Sequence, residues 1–215
     1  MTAYTPLGGI PYPQPTDPAN VPQHLQSLAE TVDARTILRF ASAAARDTVI
    51  TAPAPGMVAW LSSPGQLTYY TGTAWQAVPA APVFAYASDL GTTNSTAPVE
   101  VLPSGNAAPT AAVFTAPLAG KALVTVGAWI NNSVTTSYGY MGATVRKVSD
   151  SSVLLASSTE RACTVTGINR VSASSQFLVT GLTAGVAYSV TAAYWSGTSG
   201  NTVSYDHRFV RVDPL

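Results

Sequence analysis

Two histidines, one cysteine and ten Asp or Glu side chains are what this sequence offers for acid-base, thiol or metal chemistry. Asp206, His207 and Arg208 stand side by side near the C-terminus, and a carboxylate beside an imidazole is the raw material of general acid-base catalysis. Neighbouring side chains on a regular strand point to opposite faces, so these three could converge on one substrate atom only at a bulge. His207 shares its parity with Tyr205 and Phe209 and is expected to pack or to face another subunit. His24 has no acidic or thiol partner three or four residues on. Asp150, Glu160 or Asp206 could supply a glycosidase-type pair assembled across subunits. No Gly-x-Ser-x-Gly elbow, His-x-x-Glu-His helix, phosphate loop or dinucleotide glycine fingerprint occurs. Cys163 is the only cysteine, which excludes an intrachain disulfide and an intrachain thiolate metal site, and it is expected to be a small buried hydrophobe. The sequence therefore predicts a protein that is not an enzyme and has no catalytic residues, cofactor or metal.

Non-covalent binding is the better supported chemistry. Saccharide sites combine an aromatic face with neutral hydrogen-bonding groups, and Tyr138, Tyr140, Tyr194 and Trp195 lie near turns rich in Ser, Thr, Asn and Gly. Tyr194 belongs to an inward-facing series. Trp195, of opposite parity and next to Ser196–Thr202, is the leading candidate for ligand contact, with Tyr138 and Tyr140. The competing reading is that these rings fill a core or an interface.

The elements that must position these residues are almost all strands. From Lys121 to Ile130 the residues Ala122, Val124, Val126, Ala128 and Ile130 share one face, and Thr125, Gly127 and Trp129 the other. Met141, Ala143 and Val145 repeat the pattern, as do Val171, Ala173, Phe177 and Val179, and then Val186, Tyr188, Val190, Ala192 and Tyr194. Short turns such as Ser149–Ser152 and Gly181–Gly185 separate them. No helical period interrupts the region from Val83 onward, and a last strand is expected over Thr202–Val212, so an antiparallel sandwich follows.

The first part of the chain reads differently. Residues 1–16 hold four prolines and two glycines around Tyr4, Leu7, Ile10 and Tyr12, a composition that favours an extended arm and suits a docking peptide. Asp17 and Pro18 supply an N-cap and a proline at the first helical position, predicting one helix from Asp17 to Phe40. Leu25, Leu28 and Val32 have coiled-coil spacing, and the register breaks where Arg35 and Arg39 take the next positions. A seam of about two heptads is too short to stand alone in water, so the helix either oligomerises or packs on its own chain. Met57–Leu61 and Leu67–Thr71 form a hairpin around Ser-Ser-Pro-Gly-Gln, carrying Trp60, Tyr69, Tyr70 and Trp75, which need cover from the helix or another subunit.

Charged residues make up only 9% of the chain, against about 25% in ordinary soluble proteins. Ten basic and ten acidic side chains cancel, so nothing steers the protein to nucleic acid or an anionic membrane. The N-terminus has no basic stretch followed by an apolar run, which predicts synthesis without secretion. A surface of Ser, Thr, Asn, Gly and Ala suits a protein fixed in an assembly.

Residues 45–75, ARDTVITAPAPGMVAWLSSPGQLTYYTGTAW, directly after a proline-introduced helix, resemble a segment of bacteriophage tail-fibre and minor tail proteins, especially of the actinobacteriophage type. The likeness covers roughly residues 8–76 and rests on turn punctuation and aromatics. In that family an N-terminal virion-proximal region precedes a variable distal β domain. The run FTAPLAGKALVTVGAWI resembles a strand of tumour-necrosis-factor-like jelly rolls, whose known families are trimeric. QFLVTGLTAGVAYSVTAAYW also suits a fibronectin type III module, but that module is smaller than the C-terminal region. The expected fold is mainly β, with an arm (1–16), a single helix forming a short trimeric coiled coil (17–46), a small β-hairpin region (47–82) and an antiparallel jelly-roll sandwich (83–215). The resemblance implies a virion protein assembled in the host cytoplasm: a homotrimeric fibre or spike subunit attached to other virion proteins through residues 1–40. Its partner would be a host cell-surface carbohydrate, and neither nucleic acid nor membrane. A capsid or collar decoration fibre without a receptor, and a carbohydrate-binding module of a bacterial enzyme, stand as alternatives.

Overall fold

The structure is a computed structural model that describes residues 3–4, 10–33, 36–105 and 109–215. The chain divides into two compact units, Met1–Val78 and Pro79–Leu215. Leu7 and Arg35, to which the sequence assigns a docking contact and the opening of the helical seam, lie outside the described residues.

In the N-terminal unit the arm is not simply extended: β1 (Ala3–Tyr4) pairs antiparallel with β2 (Pro11–Tyr12). The expected helix is shorter and starts later, as α1 (Val21–Asp33). Asp17 is not its cap. The Asp17 carboxylate accepts from the Gln14 amide at 2.9 Å and closes a turn with it, a contact that also lowers its pKa. Asn20 takes the capping position, its Oδ1 accepting from the Gln23 amide at 3.3 Å, and Pro22 fills the first turn where a missing N–H is harmless. Ile37, Leu38 and Phe40 are not helical. Leu38–Phe40 is strand β3, and a second helix, α2 (Ala43–Val49), follows, capped by the Ser42 hydroxyl. β3 then pairs parallel with β4 (Val58–Leu61), with α2 as the crossover. The expected hairpin of β4 and β5 (Gln66–Tyr70) is present, extended by β6 (Trp75–Ala77). Of its aromatics, Trp75 is covered from α2 by Arg46, which is buried, lies 4.2 Å over the ring, and pairs with Asp47 at 2.8 Å, whereas Tyr69 remains exposed. Ala59, Leu61 and Thr68 are also buried there.

The C-terminal unit contains β7 (Val83–Ala87), β8 (Gly91–Thr93), β9 (Ser104–Gly105), β10 (Ala111–Thr115), β11 (Ala122–Asn132), β12 (Tyr138–Lys147), β13 (Val153–Leu155), β14 (Cys163–Thr166), β15 (Val171–Val179), β16 (Ala187–Ser196) and β17 (Val203–Pro214). Every pairing is antiparallel. The main strands form two sheets, β7-β17-β11-β15 and β10-β16-β12-β14. Numbered along the chain, these orders are 1-8-3-6 and 2-7-4-5, the doubly wound antiparallel order of a jelly roll. Consecutive long strands thus alternate between sheets, and their inner faces meet in one core. Val124, Val126 and Ile130 of β11 meet Met141, Val145, Val190 and Tyr194 of the facing sheet there. Cys163 is in this core, and burial pushes its thiol up to about 11. The Tyr205 hydroxyl crosses from β17 to the other sheet, 2.8 Å from the Tyr140 carbonyl and 3.0 Å from that of Trp195.

One polar network crosses an end of the sandwich with every side-chain group satisfied. Asn201, fully buried, accepts from the amides of Ser133 and Val134 and donates to Asn132 and Ser196. Asn132 donates to the carbonyls of Val165 and Gly167. Buried amides of this kind hold loops in a single arrangement, because each lost partner leaves an unpaired polar group.

Candidate interaction face

The outward face of the β7-β17-β11-β15 sheet is built around an irregularity in β17. Gly127 of β11 pairs with Phe209, but Trp129, two residues on, pairs with Asp206, so β17 carries one extra residue. His207 absorbs it with φ of +49°, a left-handed conformation uncommon outside glycine. The alternation shifts phase at this bulge. Tyr205 and Arg208 both point inward, and Asp206, His207 and Phe209 share the outer face. The regular-strand expectation that Asp206 and His207 point apart therefore fails here.

The bulge does not assemble a catalytic dyad. Asp206 is ion-paired with Arg170, and its Oδ1 accepts from the His207 amide at 2.8 Å but stands 4.0 Å from the imidazole Nε2. The imidazole Nδ1 is hydrogen-bonded to the Tyr86 hydroxyl. Its ring is held between Tyr86 at 6.0 Å and Trp129 at 5.7 Å. Both Asp206 oxygens and the His207 Nδ1 are thus used by neighbours on the same flat face.

What the bulge does assemble is an aromatic surface. Phe84 stacks on Tyr86 at 6.3 Å and on Phe209 at 6.0 Å, and the Arg170 guanidinium lies 4.8 Å over Trp129. Phe84 is 60% exposed and Trp129 46%, and Tyr86 and Leu178 of the same face are about as open. Gly127 makes this layer possible, since a Cβ there would meet the Phe209 ring at 2.6 Å. Ion pairs Arg170–Asp206 and Arg211–Asp213 flank the rings. Aromatic centre and charged edge are the composition of a protein contact surface.

The three residues that the sequence selects for ligand contact do come together, on the opposite sheet. Tyr140 pairs across strands with Trp195 and stacks on it at 5.3 Å, and Tyr138 stacks on Tyr140 at 6.2 Å. Trp195 itself is only 4% exposed, its ring lying over Gly142, so the available surface is that of Tyr138 and the edge of Tyr140. In the N-terminal unit the helix face Leu25, Leu28 and Val32 is solvent-exposed, with Leu25 at 59%, and Val21 extends it by one step. The half-buried side chains of α1 are instead His24, Ser27 and Thr31.

The sequence reading missed Phe84, Tyr86 and His207 as parts of one surface. A signal was present: a glycine in the middle of an alternating strand, Gly127 or Gly142, marks a place where a large ring lies close to the backbone. Among the described residues no group of three or more His, Cys, Asp or Glu could hold a metal ion, and no helix is long and apolar enough to cross a membrane.

No protein-family model matches the chain, and no curated protein matches it. Solved structures that match part of the chain include Eiger TNF from S. frugiperda, 14% identical over 64% of this chain and 94% of that one, with a TM-score of 0.42. Murine APRIL is 12% identical over 63% of this chain and 100% of that one, with a TM-score of 0.32. The enzymatically active domain of bacteriophage CBA120 tailspike protein 4 is 11% identical over 60% of this chain and 19% of that one, with a TM-score of 0.24. The jelly-roll assignment rests on the strand order of the chain itself.

Proposed function

We propose that this protein is a non-enzymatic structural subunit of a phage particle, a homotrimeric fibre or spike protein anchored through residues 1–40, whose jelly roll serves in host adhesion. The observation that carries this reading is that each of two separately folded units leaves one ordered apolar face uncovered in a single chain. In the N-terminal unit it is the Val21, Leu25, Leu28 and Val32 stripe, with the four-three-four spacing of a coiled-coil seam. In the C-terminal unit it is the Phe84, Tyr86, Phe209 and Trp129 surface. Two exposed apolar faces in one chain support self-association at two levels, and the low charge of the chain favours a fixed assembly. The resemblance of residues 8–76 to phage tail fibres supports the virion setting. Adhesion would use the exposed Tyr138 ring and the edge of Tyr140 against cell-surface sugar, weak contacts multiplied by three copies.

Light scattering on the purified chain tests the central point. The expected mass is three times 22.2 kDa. Phe84→Ser combined with Trp129→Ser should break the contact between C-terminal units while preserving their β-sheet circular dichroism, because both side chains are exposed. A wild-type monomer at micromolar concentration overturns the proposal.

A further inference from the structure

The polar network at one end of the sandwich fixes more than its own loops. Asn201 ties down the Ser133 and Val134 amides after β11, and Asn132 the Val165 and Gly167 carbonyls at the end of β14. Gly197, just past β16, donates its amide to the Tyr138 carbonyl at 2.8 Å, and the Ser137 and Thr198 hydroxyls are hydrogen-bonded to each other. Three loops are thereby locked in one arrangement around the start of β12. Tyr138, the first residue of that strand, ends the ring stack that runs outward from buried Trp195 through Tyr140, and is 44% exposed. Gly197 makes room for the two tyrosines, since a Cβ there would stand 3.0 Å from both. On the other side β14 places Thr164 opposite Tyr140 and Thr166 opposite Tyr138, both threonines exposed. Directly opposite residues share a sheet face, so the ring, the ring edge and the two hydroxyls form one surface.

That surface carries no charge. Residues 131–140, 163–169 and 195–205 contain no Asp, Glu, Lys or Arg, and the charges next along the chain, Arg170 and Asp206, are paired with each other. The face of an aromatic ring is electron-rich: it attracts C–H groups and repels an anion. A threonine hydroxyl both donates and accepts, as a sugar hydroxyl does. An ionised sugar pressed against these groups would lose water around its charge with no cation to replace it. We infer that this end of the sandwich is a preformed site for an uncharged hexopyranose, which stacks its C–H face on Tyr138 and hydrogen-bonds to Thr164 and Thr166. The inference rests on the adhesion reading above and names its ligand class, excluding uronic, sialic and phosphate-bearing glycans. Because the Asn132 and Asn201 network already holds the loops, binding carries no cost of ordering them.

Saturation-transfer NMR on the full chain tests the site, with methyl glucopyranoside and methyl galactopyranoside as probes at about 10 mM and glucuronate and galacturonate as their charged counterparts. Ring protons of at least one neutral glycoside should receive saturation, and its uronate roughly tenfold less. Tyr138→Ala should weaken binding by about tenfold and Tyr138→Phe by less than about twofold, because stacking needs the ring and not its hydroxyl. Should Tyr138→Ala lose the β-sheet circular dichroism, Thr166→Val must weaken binding by about threefold. Silence from both neutral glycosides, uronates that match them, or a folded Tyr138→Ala that binds like wild type overturns the site. Light scattering on the same samples separates this inference from the assembly reading. A trimer that takes up neither neutral glycoside sinks the site and leaves the assembly standing, and a monomer that takes one up does the reverse. Loss of the trimer in Tyr138→Ala would show that the rings face another copy, and would also overturn the site.

Discussion

In the C-terminal unit Val124, Val126 and Ile130 face a core supplied by the opposite sheet, and the aromatic side chains left outside are a surplus over what the fold needs. In α1 the corresponding apolar stripe, Val21, Leu25, Leu28 and Val32, faces solvent, and the helix buries only polar side chains part-way. The C-terminal unit has the internal contacts to stand as a folded monomer and to use its outer face for a partner. A 13-residue helix with its apolar side uncovered is marginal in water, so in the proposed trimer a partner would be part of its stability. Exposed apolar residues thus have two meanings in one molecule: an addition to a finished fold, and the missing half of an unfinished one.

The largest effect that tests this contrast is on the finished core. Ile130→Asp places a carboxylate among fully buried side chains of both sheets and should cost more than about 4 kcal/mol, unfolding the C-terminal unit. Denaturant titration with Tyr and Trp fluorescence reads it, and a variant that keeps the wild-type midpoint would show that the inner face is not closed. A smaller effect comes from pH. Cys163 has a thiol pKa pushed from 9.0 to about 11 by burial. The unfolded thiol ionises first, so its contribution is fully present below about pH 9 and is lost as pH rises towards 11. Wild type should lose about 2 kcal/mol more than Cys163→Ala between pH 8 and pH 10.5. Equal losses would mean the thiol is not enclosed. Smallest in the C-terminal unit should be the effect of Leu28→Asp, which leaves its unfolding midpoint within about 0.5 kcal/mol. In α1 the same change should abolish amide protection in hydrogen exchange, and a helix that stays protected would show that it does not need the seam.

The sheets were legible because alternation survives along whole strands: the inward set of β11 and the series Tyr188, Val190, Ala192 and Tyr194 of β16 are all buried as their parity requires. The break between α1 and β3 was not, since Ile37–Phe40 has apolar residues compatible with either state, and its strand partner lies about 20 residues further on in β4. The cap at Asn20 was hidden behind the stronger Asp17-Pro18 signal, whose aspartate is engaged by Gln14. Nothing in Asp206, His207 and Arg208 announces a left-handed residue. The phase shift that directs Arg208 inward, and the surface that gathers Tyr86 from 121 residues away, are products of pairing with β11 and β7. The stack of Tyr138, Tyr140 and Trp195 was foreseeable as a group, but its burial gradient was not, because parity fixes a face and not what covers it.

The position of β17 bears on how the C-terminal unit comes into being. This strand is the last of the unit to be made, yet it sits between β7, the first, and β11. Until it emerges from the ribosome the sheet is split into a lone β7, a β8-β9 pair and a β11-β15 pair, each presenting an open backbone edge. The parallel crossover of β3 and β4, by contrast, closes over short separations and can form during translation. The nascent chain therefore carries an unfinished sheet for the whole time of its synthesis, an interval in which neighbouring chains on one message could exchange strands, and the aromatic face becomes continuous only when the final strand slots in.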